Sequence, residues 1–467
     1  MAPNLLLIVF DTARADHFEP WGGAPGATPT VRALAERGTV FPRAVSPSNW
    51  TLPSHASMFT GLLPSMLGLT DAGPPHQPGF GSRPILESLS ERVLAEVLRR
   101  RGYSTRAISA NPWIHPGTGF AVGFEEFRVI RGTRRGHANT LRSQVEWLVG
   151  SLLARADDGA TQADQIIESW LAEPPGRPFF WFVNLMECHS PFLPPRPYND
   201  LSVVERISAG RDAMRYQTAA GIYEVCAGDE DLPPAARRRV RHLYGRSIRQ
   251  LDDWLGRVLN RLADRGMLDD TVVVVTSDHG ENLGENHLLG HVLSMDDRLI
   301  NVPLVVAGPG ETAAEGLTSL AELPTLLASV LEIDDHPWVE NVRPGGFAVS
   351  QVAGEVMIQS LEAVANALGV GREAIRRIAA PISAVTDGRF KLVRTPGGDR
   401  FFDVDGDPLE ERALERQVAA AAGVPVERLA SALDQVDDAV PRSAPQGGST
   451  AETSLDLEER LRLLGYI

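Results

Sequence analysis

The chain has 467 residues, 43% of them hydrophobic and 22% charged, which is enough to bury a sizeable core and excludes wholesale disorder or a disulfide-stapled miniature. Its 60 Asp and Glu against 45 Lys and Arg give a formal net charge of −15, which opposes nucleic-acid backbones and anionic membrane surfaces. With only Cys188 and Cys226, no disulfide framework holds the fold, and a cytoplasmic location is expected.

The apolar run Leu5–Phe10 comes first and ends at Asp11; it is too short for a signal peptide or a membrane span. Similar runs follow at Thr105–Ser109, Phe179–Leu185, Val272–Thr276 and Val302–Ala307. They are continuous rather than alternating, the pattern of strands buried on both faces of a mostly parallel sheet. Between them, helical periodicity is clearest from Val240 to Leu262, with apolar residues three and four apart and Gly266 as the stop. Alternating strands and helices over residues 1–380 predict an α/β sandwich domain. From 381 to 467 the pattern changes. Ile382–Val385, Arg389–Arg394 and Arg400–Val404, with turns at Asp387-Gly388 and Gly397-Gly398, read as a smaller antiparallel C-terminal subdomain. The Pro- and Gly-rich stretch Asp437–Ser454 then precedes a short terminal helix at Leu455–Leu464. Asp71–Pro84 and Arg128–Asn139 read as loops placed to rim a site.

Asp11 and Asp278-His279 each follow a buried strand, so both should emerge at the carboxyl edge of one sheet, where open α/β sheets bind ligands. An Asp at a strand end also serves as a plain helix cap, whereas a carboxylate beside an imidazole makes a metal site easy to complete. Asn49-Trp50-Thr51-Leu52-Pro53-Ser54-His55 opens a predicted helix with a hydroxyl near unpaired N–H groups. Thr51 is then either an ordinary N-cap or a nucleophile whose hydroxyl a coordinated metal activates. His17, His115 and His242 read as structural and Cys188 as a buried thiol; Trp50 is open between substrate contact and core.

Several blocks together carry a resemblance: Phe10-Asp11-Thr12-Ala13-Arg14-Ala15-Asp16-His17, the Thr51–His55 segment, Asn184–Phe192, Thr276–Gly284, Asn301–Leu304, Lys391–Val393, Phe402–Pro408 and the closing Leu464–Ile467. In this order they resemble the sulfatase-like family of the alkaline phosphatase superfamily, and Thr51 resembles the nucleophile of its Thr-dependent phosphodiesterases and phosphotransferases. The resemblance implies an alkaline-phosphatase-like α/β sandwich with a C-terminal antiparallel subdomain, acting on a small-molecule anionic ester of phosphorus or sulfur. It implies Asp11, Asp278 and His279 as metal ligands, Thr51 as nucleophile and fourth ligand, and His189 against the substrate anion. His55, Asn111, His287, His291 and Arg14 are further candidates for the pocket, with His291 or His287 protonating the leaving group.

The sequence also departs from the family. Thr51 stands where sulfatases carry the Cys or Ser that matures to formylglycine, a route threonine cannot take, so phosphoryl chemistry through a phospho-threonine is expected. Asp11-Thr12 replaces a pair of aspartates, leaving one carboxylate fewer and one imidazole more than a typical calcium site. One divalent ion is expected, Zn²⁺ or Mn²⁺ ahead of Ca²⁺ or Mg²⁺. His55 and His291 replace permanent cations, which favours a monoanion such as a phosphodiester or phosphonate monoester. Sulfate ester hydrolysis without formylglycine, and a binding protein that has lost its chemistry, are the alternatives.

Overall fold

The computed structural model describes residues 2–69, 82–130, 149, 153–154, 157–228, 230–291, 294–310, 312–314, 316–352 and 381–438. The main sheet contains β1 (Asn4–Phe10), β2 (Gly38–Val40), β3 (Ser104–Ser109), β4 (Glu126–Val129), β5 (Phe179–Leu185), β6 (Thr271–Thr276) and β7 (Leu304–Ala307). Their spatial order is β2-β7-β6-β1-β5-β3-β4. The central strand β1 pairs in parallel with β5 on one side and β6 on the other, and β3 continues in parallel between β5 and β4.

Side chains alternate across β1, and the alternation separates two cores. Leu5, Leu7 and Val9 pack on one face with residues of the helices Thr51–Thr60, Leu94–Arg100 and Leu323–Val330. Leu6, Ile8 and Phe10 pack on the other with Pro29–Arg37, Ala160–Ala172 and Pro234–Asp264. The mostly parallel α/β architecture is therefore the one expected. The long helix runs beyond the predicted Val240–Leu262 at both ends. It closes on Gly266 at φ +65°, with the Met267 N–H donated to the Leu262 carbonyl at 2.9 Å.

Two boundaries differ from expectation. Val302–Ala307 is not one parallel strand: Asn301–Val302 pairs antiparallel with Ala44–Val45, and β7 runs antiparallel to β6. Pro303 divides them, since it has no N–H for a ladder and its carbonyl instead accepts the Thr276 hydroxyl at 2.8 Å. The small antiparallel sheet also begins before residue 381. It comprises β8 (Ala348–Val352), β9 (Ile382–Thr386), β10 (Phe390–Thr395) and β11 (Gly398–Asp403) in that order. Most of both expected rim loops, the stretch from 439 to 454 and the helix at 455–464 lie outside the described residues. Among the described residues no helix is long and apolar enough to cross a membrane.

The small sheet is fastened by the chain's one lysine. Lys391 on β10 is fully buried; its Nζ donates to the Met295 carbonyl at 2.8 Å and to Glu410 Oε1 at 2.6 Å, with Asp297 at 3.5 Å. Removing one partner of such a pair leaves an uncompensated buried charge. Lys391→Met should therefore cost about 3–5 kcal/mol of unfolding free energy in denaturant titration, and adding Glu410→Gln should restore most of it. An unchanged unfolding midpoint in the single variant would contradict this account.

Candidate active site

Four parallel strands lying side by side deliver the polar residues of the site at their carboxyl ends. Asp278 stands two residues past β6, Asp11 directly past β1, Asn184 within β5 and Asn111 two residues past β3. All four are fully buried. Asp11 Oδ2 accepts Nδ2–H bonds from Asn111 at 2.7 Å and Asn184 at 3.2 Å. Asp278 Oδ1 accepts the backbone N–H groups of Thr12 at 3.1 Å and His279 at 2.9 Å. Each carboxylate thus has one satisfied oxygen, while Asp11 Oδ1 and Asp278 Oδ2 are left without a hydrogen-bond partner.

The backbone is bent to allow this. Thr12 sits at φ +62°, an uncommon conformation for a β-branched residue. Three long-range hydrogen bonds hold it there: its N–H to Asp278, its hydroxyl to the Cys188 carbonyl at 2.6 Å, and its carbonyl accepting the Tyr244 hydroxyl at 2.7 Å. Ser54 Oγ donates to the Asp278 carbonyl at 2.7 Å and so ties the Thr51–Thr60 helix to the same strand edge.

His279 Nδ1 donates to the Gly280 carbonyl at 3.0 Å, which leaves the lone pair on Nε2. Ligand atoms of Asp11, Asp278 and His279 lie within 4.8 Å of one another. Burial, reinforced by repulsion from Asp278, pushes the Asp11 carboxyl up to about 7; burial does the same to Asp278 against the pull of its backbone N–H bonds. Two desolvated carboxylates with orphaned oxygens beside an imidazole lone pair fit a divalent cation.

Thr51 is the first residue of its helix, with Trp50 as the cap, so its hydroxyl is not spent on capping. Thr51 Oγ1 lies 3.3 Å from His279 Nε2 and accepts Asn111 Nδ2–H at 3.3 Å. A row of imidazoles adjoins it: the His291 ring centroid is 4.5 Å from that of His279 and 5.2 Å from that of His189. His291 Nδ1 meets Glu281 Oε1 at 3.2 Å, and His189 Nδ1 donates to the Ser190 carbonyl at 2.8 Å. Burial lowers His279 and His291 to about 4 and raises Glu281 to about 7. Burial and the neighbouring His291 lower His189 as well.

Of the residues predicted from sequence, the fold gathers Asp11, Thr51, Asn111, His189, Asp278, His279 and His291. Three others stand apart from a substrate pocket. The Arg14 guanidinium is taken up by Asp16, Glu285 and the Glu281 carbonyl. The His287 side chain is 73% exposed, 3.4 Å from Asp231. His55 is sealed among Phe120 and Phe182 with both ring nitrogens engaged. Cys188 donates Sγ–H to the Asp11 carbonyl at 3.0 Å, and Trp50 packs edge-on against Trp113. Sequence reading missed Asn184 and Glu281 as parts of the site, although an amide inside the buried apolar run Phe179–Leu185 was a visible signal for the first.

Comparison with known proteins assigns the chain to a family. The profile of the sulfatase family matches residues 3–333. The chain is 26% identical over 446 residues to the choline-sulfatase of Rhizobium meliloti, covering 87% of this chain and 81% of that protein. It is 24% identical over 349 residues to human iduronate 2-sulfatase, 67% of this chain and 61% of that protein. The solved structure of the phosphonate monoester hydrolase of Agrobacterium radiobacter shares the fold with a TM-score of 0.63 at 21% identity, covering 93% of this chain and 96% of that one. The family match covers most of the chain, and it places the protein: the chain belongs to the sulfatase family of the alkaline phosphatase superfamily, a family of ester hydrolases that bind a divalent metal ion.

Proposed function

We propose that this ester hydrolase cleaves a phosphodiester or phosphonate monoester through Thr51, with Zn²⁺ or Mn²⁺ held by Asp11, Asp278, His279 and Thr51. The observation that carries the reading is the uncapped Thr51 hydroxyl, 3.3 Å from both His279 Nε2 and Asn111 Nδ2, beside two carboxylate oxygens that lack partners. A bound divalent ion supplies Lewis acidity there, lowering the hydroxyl pKa and offsetting charge on the ester oxygens.

Thr51 Oγ attacks phosphorus in line; the Oγ–P bond forms as the bond from phosphorus to the leaving oxygen breaks, and the hydroxyl proton passes to solvent. Asn111 and His189 hold the non-bridging oxygens, and His291, taking up a proton from solvent with Glu281 facing its Nδ1, passes that proton to the leaving oxygen and returns to the neutral ring. Water then releases the phospho-threonine in a hydrolase, or a second alcohol accepts the group in a transferase. A monoanion suits the pocket because the Arg14 charge is spent on Asp16 and Glu285 and because burial keeps His55 neutral, its pKa pushed down to about 3. The likeness to choline-sulfatase and iduronate 2-sulfatase supports sulfate esters as the second reading.

Thr51→Ala should lower turnover of an aryl phosphodiester by at least about a thousandfold while the protein still binds metal. An active variant removes Thr51 from its role. Asp278→Asn should empty the site, read by metal analysis of the purified protein; stoichiometric metal in that variant would exclude Asp278 as a ligand. Bis(4-nitrophenyl) phosphate should be turned over faster than 4-nitrophenyl phosphate or 4-nitrophenyl sulfate. A faster sulfate ester transfers the assignment to the second reading, and a faster monoester defeats the charge argument.

A further inference from the structure

His55 stands where the family resemblance suggested a substrate contact, yet it is buried behind the cluster. Its ring lies edge-on to Phe120 and Phe182, with centroids 6.2 and 6.0 Å apart, in surroundings that an apolar side chain would fill without cost. The hydrogen bonds explain a polar ring there. The Asn184 amide has two N–H donors; one meets Asp11 Oδ2 at 3.2 Å and the other His55 Nε2 at 3.4 Å. Because Nε2 accepts, the proton of the neutral ring sits on Nδ1, which donates to the Thr51 carbonyl at 2.9 Å and lies 3.5 Å from Asp278 Oδ2. One ring therefore touches the nucleophilic residue and one carboxylate, and reaches the other carboxylate through a single amide.

We propose that His55 is a positioning residue. Through the Thr51 carbonyl it fixes the first turn of the helix that carries the nucleophile, and through Asn184 it steadies the second of the two amide bonds on Asp11 Oδ2, beside that of Asn111, so that Oδ1 is the oxygen presented to the ion. The half of the proposal concerning turnover rests on the function proposed above; the half concerning the ion does not.

His55→Phe keeps the packing and removes both bonds. It should retain the wild-type circular dichroism spectrum, lower kcat on bis(4-nitrophenyl) phosphate about 10–100-fold and weaken Zn²⁺ binding about tenfold in competition with a chelator. KM should stay within about twofold, since the ground-state contacts are untouched. His55→Asn retains a donor toward the Thr51 carbonyl and should recover most of kcat. Asn184→Ala should weaken Zn²⁺ binding as His55→Phe does, and in Zn²⁺ affinity the double variant should lose no more than either single one, because both changes cut the same link to Asp11. Wild-type kcat and Zn²⁺ affinity in His55→Phe, or losses of Zn²⁺ affinity that multiply in the double variant, overturn the proposal. Should His55→Phe fail to fold, wild-type behaviour of both His55→Asn and Asn184→Ala in the Zn²⁺ titration overturns it equally. If wild-type protein turns over no ester, the function reading fails, and the Zn²⁺ titrations alone decide the role of His55.

Discussion

Two carboxylates, buried side by side with one oxygen of each left unsatisfied, are the constraint around which this molecule is arranged. Removing a carboxylate from water is costly, and placing a second beside it adds repulsion; burial holds both Asp11 and Asp278 far above the usual carboxylate range, and the charge of Asp278 adds to the rise at Asp11. The surroundings satisfy half of that need. Two asparagine amides close on Asp11 and two backbone N–H groups on Asp278, all directed at one oxygen of each. The remaining demand is for positive charge, which a divalent ion held by Asp11, Asp278 and His279 would supply.

The sheet makes the arrangement possible. Parallel neighbours β6, β1, β5 and β3 end at the same edge, so residues far apart in sequence arrive together without long loops to position them. The strain at Thr12 follows from the same need, because only that turn aims its N–H at Asp278. Ser54 then brings the helix of Thr51 into register with the strand edge. Fold and site are thus fixed by one set of contacts, which is why a side chain as remote from solvent as His55 reaches both the Thr51 carbonyl and, through Asn184, the carboxylate of Asp11.

Much of this was legible in the sequence, and the failures have physical causes. Leu5–Phe10, Thr105–Ser109, Phe179–Leu185 and Val272–Thr276 could be read as strands because burial on both faces leaves an unbroken apolar run. The same signal misled at Val302–Ala307, where the apolar run spans Pro303 and two different sheets. Ala348–Val352 gave no sign of belonging with Ile382–Thr386, since a partner some thirty residues away is a tertiary fact. That Asp11 and Asp278-His279 meet at one sheet edge was legible from their places after buried strands, whereas Thr51 joined them only through the family resemblance. The fate of Arg14 and His55 was not. One depends on Glu285, the other on the amide of Asn184, and no local pattern announces either pairing.

The fastening of the small sheet bears on how this protein can be handled. Lys391 is its sole lysine, and its ammonium has no solvent-facing surface; every other fixed side-chain cation is a guanidinium. Acylating dyes, aldehyde cross-linkers and ester-activated resins, which seek free side-chain amines, will find no lysine to react with while the fold is intact. Labelling of Lys391 would instead report that the small sheet has come away.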